Sequence, residues 1–488
     1  MRDLPAESNE YEVVIGLEVH IQLKTESKLF CSCPVEYNIP PNKNVCPQCL
    51  GLPGTLPVLN RRAVELAIIA AKRLNCTINK ISAFARKHYF YPDFPKGYQI
   101  TQYDRPLAQD GYLTISNKKI SIRRIHLEED TARLLYKDKK LLIDFNRAGI
   151  PLIEVVTEPI IGDTQIVERF LRELRIILVR LGVSEANMAR GQMRCEPNIS
   201  IRSRGEENLG PKVEIKNINS FANVREAMRC EIERQIGLLR KGKKVIPKTM
   251  GWDDKKKMLV PLRTKEKSAD YRYFPEPDLP LLKIDDDYIK TLDRSIDVLM
   301  PDEIRKRLKK LGIPSARIET IININGYEYF SAIKEYYERI TKKTNDTGII
   351  NFLTTEVLGY LNVNNLELSE FNIPAQWIAE LLAQVAEKKI TSKTAKDIFN
   401  IMVSEHRSPE EIIKVENLIQ IEDPQILEQT VDMVIRKNPE IVQKIRRGKI
   451  RAIGVLVGYV MKTTKGRLNP KDVRKKIEEK ILKGNNGA

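Results

Sequence analysis

The sequence predicts an α+β fold, with an N-terminal domain built on an antiparallel sheet, then an all-helical domain and a small helical tail domain. Three observations carry this expectation. Short alternating stretches rich in β-branched residues, Pro and Gly run to about residue 300. Helical periodicity dominates beyond that point. Within the first part, strands and helices mix without regular strand–helix–strand alternation, which argues against a parallel sheet.

The clearest strand comes first. From Glu12 to Leu23 one parity carries Val13, Ile15, Leu17, Val19, Ile21 and Leu23. The other carries Glu12, Val14, Gly16, Glu18, His20 and Gln22. Side chains alternate faces along a strand, so Glu18 and His20 point the same way, about 7 Å apart. Helices are predicted at about Arg61–Leu74, Thr164–Leu181 and Asn223–Leu239, where apolar residues recur every three or four positions. Further strands are predicted at Lys119–Asp130, Leu141–Phe145, Leu152–Thr157 and Val213–Lys216. Pro301 and Asp302 open the helical part. Ser408-Pro409-Glu410-Glu411 reads as a helix start: a capping Ser, Pro first, and Glu three after the cap. A final helix from Asn469-Pro470 sets Val473, Ile477 and Ile481 inward and Arg474, Lys475 and Lys476 outward. The predicted domains are therefore 1–295, 296–405 and 406–488.

The chain carries 82 Lys and Arg against 65 Asp and Glu, a formal charge of +17, which favours a polyanionic partner. About two thirds of that surplus lies in residues 441–488, where the only acids are Asp472, Glu478 and Glu479. An RNA-contacting module explains this placement better than a merely solvated tail does, because the apolar anchors predict a folded segment. Apolar runs fall short of the ~18 residues of a membrane span. The start, MRDLPAESNEYEVV, lacks a signal core and is unlike an Arg-rich transit peptide, so a cytoplasmic protein is expected.

Four of seven cysteines cluster as Cys31-Ser32-Cys33 and Cys46-Pro47-Gln48-Cys49. Two thiolate knuckles separated by a loop suit a tetrahedral zinc site, and with all four ligands from protein the zinc would be structural. A redox pair and plain buried thiols are the other readings. Cys76, Cys195 and Cys230 read as small core residues. Among the acids, His126, Glu128 and Asp130 share one strand face, beside Glu129. Glu154 sits in the apolar run Leu152–Val156, where a carboxylate needs a partner or a metal. Each alone could be an ion-paired acid, with Arg123, Arg124 and Arg147 at hand. Together with Glu18 and His20 they make a magnesium–phosphate site plausible. The chain has no G-x-x-x-x-G-K-[ST] loop, no G-x-G-x-x-G turn, no Gly/Ser-rich amidase run and no glutaminase cysteine elbow.

The segment IDFNRAGIPLIEVVTEP (143–159) resembles the signature of the B subunits of glutamyl/aspartyl-tRNA amidotransferases. IGLEVHIQL (15–23), RKHYFYPDFPKGYQITQYD (86–104), HLEED (126–130), GQMRCEPNIS (191–200), KVEIKNINSF (212–221), DYRYFPEPDLP (270–280) and GVLVGYVMKTTKG (454–466) agree with it. The resemblance implies a cradle similar to the glutamine synthetase and guanidino kinase catalytic fold over 1–295, with a zinc-binding insertion at 31–49. Helical and basic tail domains that bind tRNA would follow it. It implies ATP- and magnesium-dependent phosphorylation of the side-chain carboxylate of Glu-tRNA(Gln) or Asp-tRNA(Asn). Ammonia from a separate amidase, the A subunit, would then displace phosphate, in a heterotrimer completed by a small C subunit. The family's metal-binding residues match His20, Glu128 and Glu154, with Glu18 beside them. A non-catalytic zinc-containing tRNA-binding protein is the alternative that composition and the cysteines alone would allow.

Overall fold

The computed structural model describes residues 10–162, 164–264, 271–416, 418, 423–464 and 466–483. Asp270 and Lys465 of the quoted motifs, residues 1–9 of the N-terminal segment and residues 484–488 of the basic tail lie outside them. The chain divides into two compact units, Met1–Pro301 and Asp302–Ala488.

The first unit opens with β1 (Tyr11–Gln22), then α1 (Arg61–Arg73), β2 (Thr77–Ile78), β3 (Ile81–Ser82), β4 (Ala85–His88), β5 (Tyr98–Thr101), β6 (Ala108–Ile115) and β7 (Lys118–Glu129). It continues with β8 (Arg133–Lys137), β9 (Lys140–Asp144), β10 (Pro151–Thr157), β11 (Ile160–Ile161), α2 (Thr164–Arg180), β12 (Met193–Ser203) and β13 (Val213–Lys216). Then follow α3 (Phe221–Leu239), β14 (Lys248–Asp253), β15 (Met258–Thr264), β16 (Phe274–Pro275), β17 (Leu282–Lys283) and α4 (Asp286–Arg294). One large sheet has the strand order β15-β14-β13-β12-β1-β10-β7-β6-β2, with β11 also paired to β1. The first strand thus ends up near the middle.

The sheet has two unlike faces because β1 has two unlike parities. Ile15, Leu17, Val19 and Ile21 are fully buried and join one core with Leu66 and Ile68 of α1, Phe170 and Leu174 of α2, and Val224 and Met228 of α3. Asn60 Oδ1 accepts from Ala63 N to start α1, and Ser220 Oγ accepts from Asn223 N to start α3. The opposite face carries the polar parity. One expectation is corrected here. The sheet is mixed, because β13 and β14 run parallel, unlike its other pairs. The physical reason is the connection between them: α3 carries the chain back before β14, as a parallel pair requires.

The second unit is helical: α5 (Pro301–Lys310; its first residue closes the first unit), α6 (Ser315–Asn323), α7 (Tyr327–Thr341), α8 (Asp346–Phe352), α9 (Leu358–Asn364), α10 (Ala375–Ala386) and α11 (Ser392–Glu405). Then come α12 (Pro409–Val415), α13 (Pro424–Lys437), α14 (Pro439–Arg446), α15 (Ile453–Thr463) and α16 (Pro470–Glu478). Ser408 and Glu411 cap α12 reciprocally, each backbone N–H donating to the other's side-chain oxygen at 3.3 Å. Helix α12 buries Ile412 and Ile413 and packs on α10 and α11. The last four helices form their own core, which includes Val431, Leu456, Val460, Val473, Ile477 and Ile481. Among the described residues no helix is long and apolar enough to cross a membrane.

Candidate active site

On the polar face, register does the assembling. His20 on β1 pairs with Glu154 on β10, Glu154 pairs with His126 on β7, and His20 pairs on its other side with Arg194 on β12. Four charged or titratable side chains therefore form one row across four strands. Glu128 lies two residues beyond His126 on the same face and leans into the row. His20 Nε2 is 3.3 Å from Glu128 Oε1 and 3.6 Å from Glu154 Oε2. His126 Nε2 is 3.1 Å from Glu154 Oε2 and 3.7 Å from Glu128 Oε2.

Glu128 is 3% exposed and Glu154 9%, so two carboxylates are buried side by side, an arrangement that needs cations. Burial raises the Glu154 pKa, but His126 outweighs it, and His20 and Lys87 add to the same effect, leaving it well below the ordinary carboxylate range. Burial lowers His126, yet the Glu154 and Glu128 carboxylates outweigh it and lift its pKa to about 9. The Nδ1 atoms of His20 and His126 are buried with no hydrogen-bond partner among the described residues. His20, Glu128 and Glu154 each bring a ligand atom into a group spanning no more than 4.8 Å. One imidazole nitrogen and two carboxylates on one side suit a hard divalent cation that keeps its other positions for water or phosphate.

Glu18 falls in the neighbouring row, where it pairs with Glu196. It groups with Glu196 and Glu214, again within 4.8 Å, and Asn198 Nδ2 donates to Glu18 Oε1 at 3.2 Å. Lys216 Nζ lies 2.8 Å from Glu196 and 3.8 Å from Glu214. The structure thus places Glu18 beside the His20 group but in a second cluster, and Glu196 and Glu214 are residues that sequence pattern did not single out. The signal was present: Met193, Cys195, Ile199 and Ile201 are buried on one parity of β12, while Glu196 stands on the other. Lys87, half-buried on β4, was also not singled out; burial lowers its pKa, but the charges of Tyr273, Glu128 and Glu154 outweigh that and raise it.

The remaining candidates lie outside the two carboxylate groups, although Asp130 meets the row through Arg194. Asp130 is ion-paired to Arg194 at 3.0 Å and Arg147 at 3.8 Å, and Gln22 donates to it. Glu129 turns to the opposite side, where Lys96 and the Ile100 N–H bind it. Arg123 pairs with Glu158.

The four clustered cysteines converge as well, their sulfurs within 4.8 Å of one another. Cys33 and Cys49 sulfurs are 4.0 Å apart, and Cys46 N–H donates to Cys49 Sγ at 3.1 Å. The Cys31 hydrogen bond, with the Cys46 backbone N–H and then the Lys28 charge, outweighs burial and holds the Cys49 thiol down at about 4. Four soft ligands at this spacing suit zinc and leave no protein-free position, which is the pattern of a structural site. The knuckle is tied to the following signature segment. Asn42 N donates to Asp144 Oδ1 (3.0 Å), Phe145 N to Asn42 Oδ1 (2.7 Å), Asn44 N to Asn146 Oδ1 (2.8 Å) and Asn146 Nδ2 to Pro40 O (2.9 Å). Cys76 and Cys195 are buried core residues, and Cys230 packs against the same core.

Two family models match the chain: the GatB/GatE catalytic domain over residues 13–290 and the GatB domain over residues 335–481. A Persephonella marina protein, named as the B subunit of an aspartyl/glutamyl-tRNA(Asn/Gln) amidotransferase, is 42% identical over 476 residues, covering 96% of this chain and 99% of its own. Proteins of the same name from Carboxydothermus hydrogenoformans and Thermotoga maritima are 41% and 39% identical, each covering 97% of this chain and 99% of its own.

Proposed function

The chain belongs to the family of B subunits of the aspartyl/glutamyl-tRNA(Asn/Gln) amidotransferases, and on that footing we propose that it activates the side-chain carboxylate of Glu-tRNA(Gln), Asp-tRNA(Asn) or both with ATP. The convergence of His20, Glu128 and Glu154 on one sheet face carries this reading. A free carboxylate is a poor acyl donor because its leaving group would be oxide. Transfer of the γ-phosphoryl group to a carboxylate oxygen replaces that leaving group with phosphate, and ammonia then attacks the carbonyl carbon and expels it. Ammonia would come from an amidase, the A subunit of a complex that also holds a small C subunit, since this chain carries no amidase or glutaminase motif.

His20 Nε2 and one oxygen each of Glu128 and Glu154 would hold magnesium, which offsets the repulsion between the substrate carboxylate and the γ-phosphate. Glu18, Glu196 and Glu214 offer a second carboxylate set, suited to the ion that accompanies the nucleotide. Lys87 adds a cation whose charge acts on the same carboxylates. Positioning and charge supply most of the catalysis in phosphoryl transfer, so no protein nucleophile is needed. The four cysteines would hold a structural zinc. The first unit would be the cradle resembling glutamine synthetase and guanidino kinases, and the helical and basic tail segments would bind tRNA.

The test is transamidation by this chain with its amidase partner, supplied separately with Glu-tRNA(Gln) and Asp-tRNA(Asn), with and without ATP and magnesium. ATP-dependent Gln-tRNA or Asn-tRNA is the expected product and identifies the substrate. tRNA binding with no product from either would turn the reading to a non-catalytic tRNA-binding protein.

A further inference from the structure

Lys28 is fully buried, with 0% of its surface exposed. Its ammonium makes three contacts: Asn44 O at 2.8 Å, Phe145 O at 3.2 Å and Cys49 Sγ at 3.7 Å. Three donors meet three acceptors, so its hydrogen bonding is complete. Its charge is the unusual element. Taking an ammonium out of water is costly unless an opposite charge lies beside it. Among the described residues no carboxylate is ion-paired with Lys28, and the group it touches that can carry negative charge is the cysteine cluster. Four thiolates around one Zn2+ leave an excess of about two negative charges. A buried ammonium against one of those sulfurs offsets part of that excess.

The same side chain also binds the segment after β9. Its Nζ donates to the Phe145 carbonyl, and its stem lies against Gly149, where an added Cβ would sit 3.4 Å from Lys28 Cδ. Gly149 has φ +85°, its carbonyl accepts from Leu29 N and its N–H donates to Asp130 O. Asp130 follows the strand that bears Glu128, and β10, which bears Glu154, starts at Pro151. Lys28 therefore stands between the sulfur cluster and the segment that joins the two carboxylate-bearing strands.

We infer that Lys28 is the built-in counter-charge of the tetrathiolate zinc site and ties that site to the 144–150 segment. The inference rests on the zinc assigned to the four cysteines above. Zinc affinity, measured on the full chain by competition with a chromophoric chelator, tests it. Lys28→Met and Lys28→Gln should each weaken zinc binding by about ten- to a hundredfold, the range found when a group supporting a metal ligand is lost. Gln keeps a donor but no charge, so a folded Gln variant that binds zinc as the wild type does would overturn the counter-charge. Amide exchange on the unmodified chain tests the tie without any variant. Stripping zinc should speed exchange at 144–150 and leave β14 unchanged, and unaltered exchange at 144–150 would overturn the tie. Wild-type protein that takes up no zinc would overturn the zinc reading itself, before Lys28 is tested.

Discussion

Glu128 offers a sharp test because it is buried, faces His20 and His126, and receives a hydrogen bond from Thr101 Oγ1 at 3.4 Å. Glu128→Ala should cut ATP-dependent amidation by at least about a hundredfold, since a metal at such a site contributes several kcal/mol to charge stabilisation and each 1.36 kcal/mol is tenfold. tRNA affinity should change by less than about twofold in a direct binding assay. Strong residual amidation in that variant would remove Glu128 from the site. Glu196→Gln should weaken ATP-dependent turnover while leaving the unfolding free energy within about 1 kcal/mol of wild type. Turnover equal to wild type would leave the second cluster as a structural ion network. The side chains on β1 could be placed from sequence because the pleat alone puts Glu18 and His20 on one face. Glu128 and Glu154 could be named from strand face, burial and the family resemblance, but the partners of Glu18 could not, because they depend on which strands flank β1. Glu196 and Glu214 lie well over a hundred residues downstream, and no local pattern links them to Glu18.

Among elements, the cysteine knuckle and the 143–147 turn should behave as one piece, because five hydrogen bonds among the described residues cross between them. Asn146 makes two of these, so Asn146→Ala should destabilise the first unit by about 1–3 kcal/mol in denaturant unfolding. No loss would mean that the crossing bonds exchange freely with water. In the second unit, Ile477 is fully buried in the last-helix core, and Ile477→Ala should cost that core about 2–5 kcal/mol. Selective loss of protection in α13–α16 by hydrogen exchange is the expected reading. Helices α1, α2 and α3 lie within two residues of the spans predicted by periodicity, because each has one continuous apolar stripe. The parallel pairing of β13 with β14 was not legible. A helix between two strands permits either direction, and the choice is made by packing on the sheet.

Over the whole molecule, the surplus positive charge is concentrated at the C-terminal end, and exposed Lys471, Arg474 and Lys475 show where some of it faces solvent. Removing residues 423–488 spares α12, which packs on α10 and α11, and should both weaken tRNA binding and flatten its dependence on salt. An unchanged slope of log affinity against log salt would mean that this charge serves hydration alone. The division near residue 300 was visible as a change of texture, since strands and helices draw on different residue types. The order of strands was not, and that order has its own cost. The strand that ends at Gln22 is flanked by strands that begin at Pro151 and Met193. At ribosomal speeds of about 5–20 residues per second, β1 waits on the order of ten seconds after synthesis before either neighbour exists. During that interval both edges of an apolar strand stay open to other chains. A newborn copy of this protein should therefore depend on a holdase chaperone more than its finished stability would suggest.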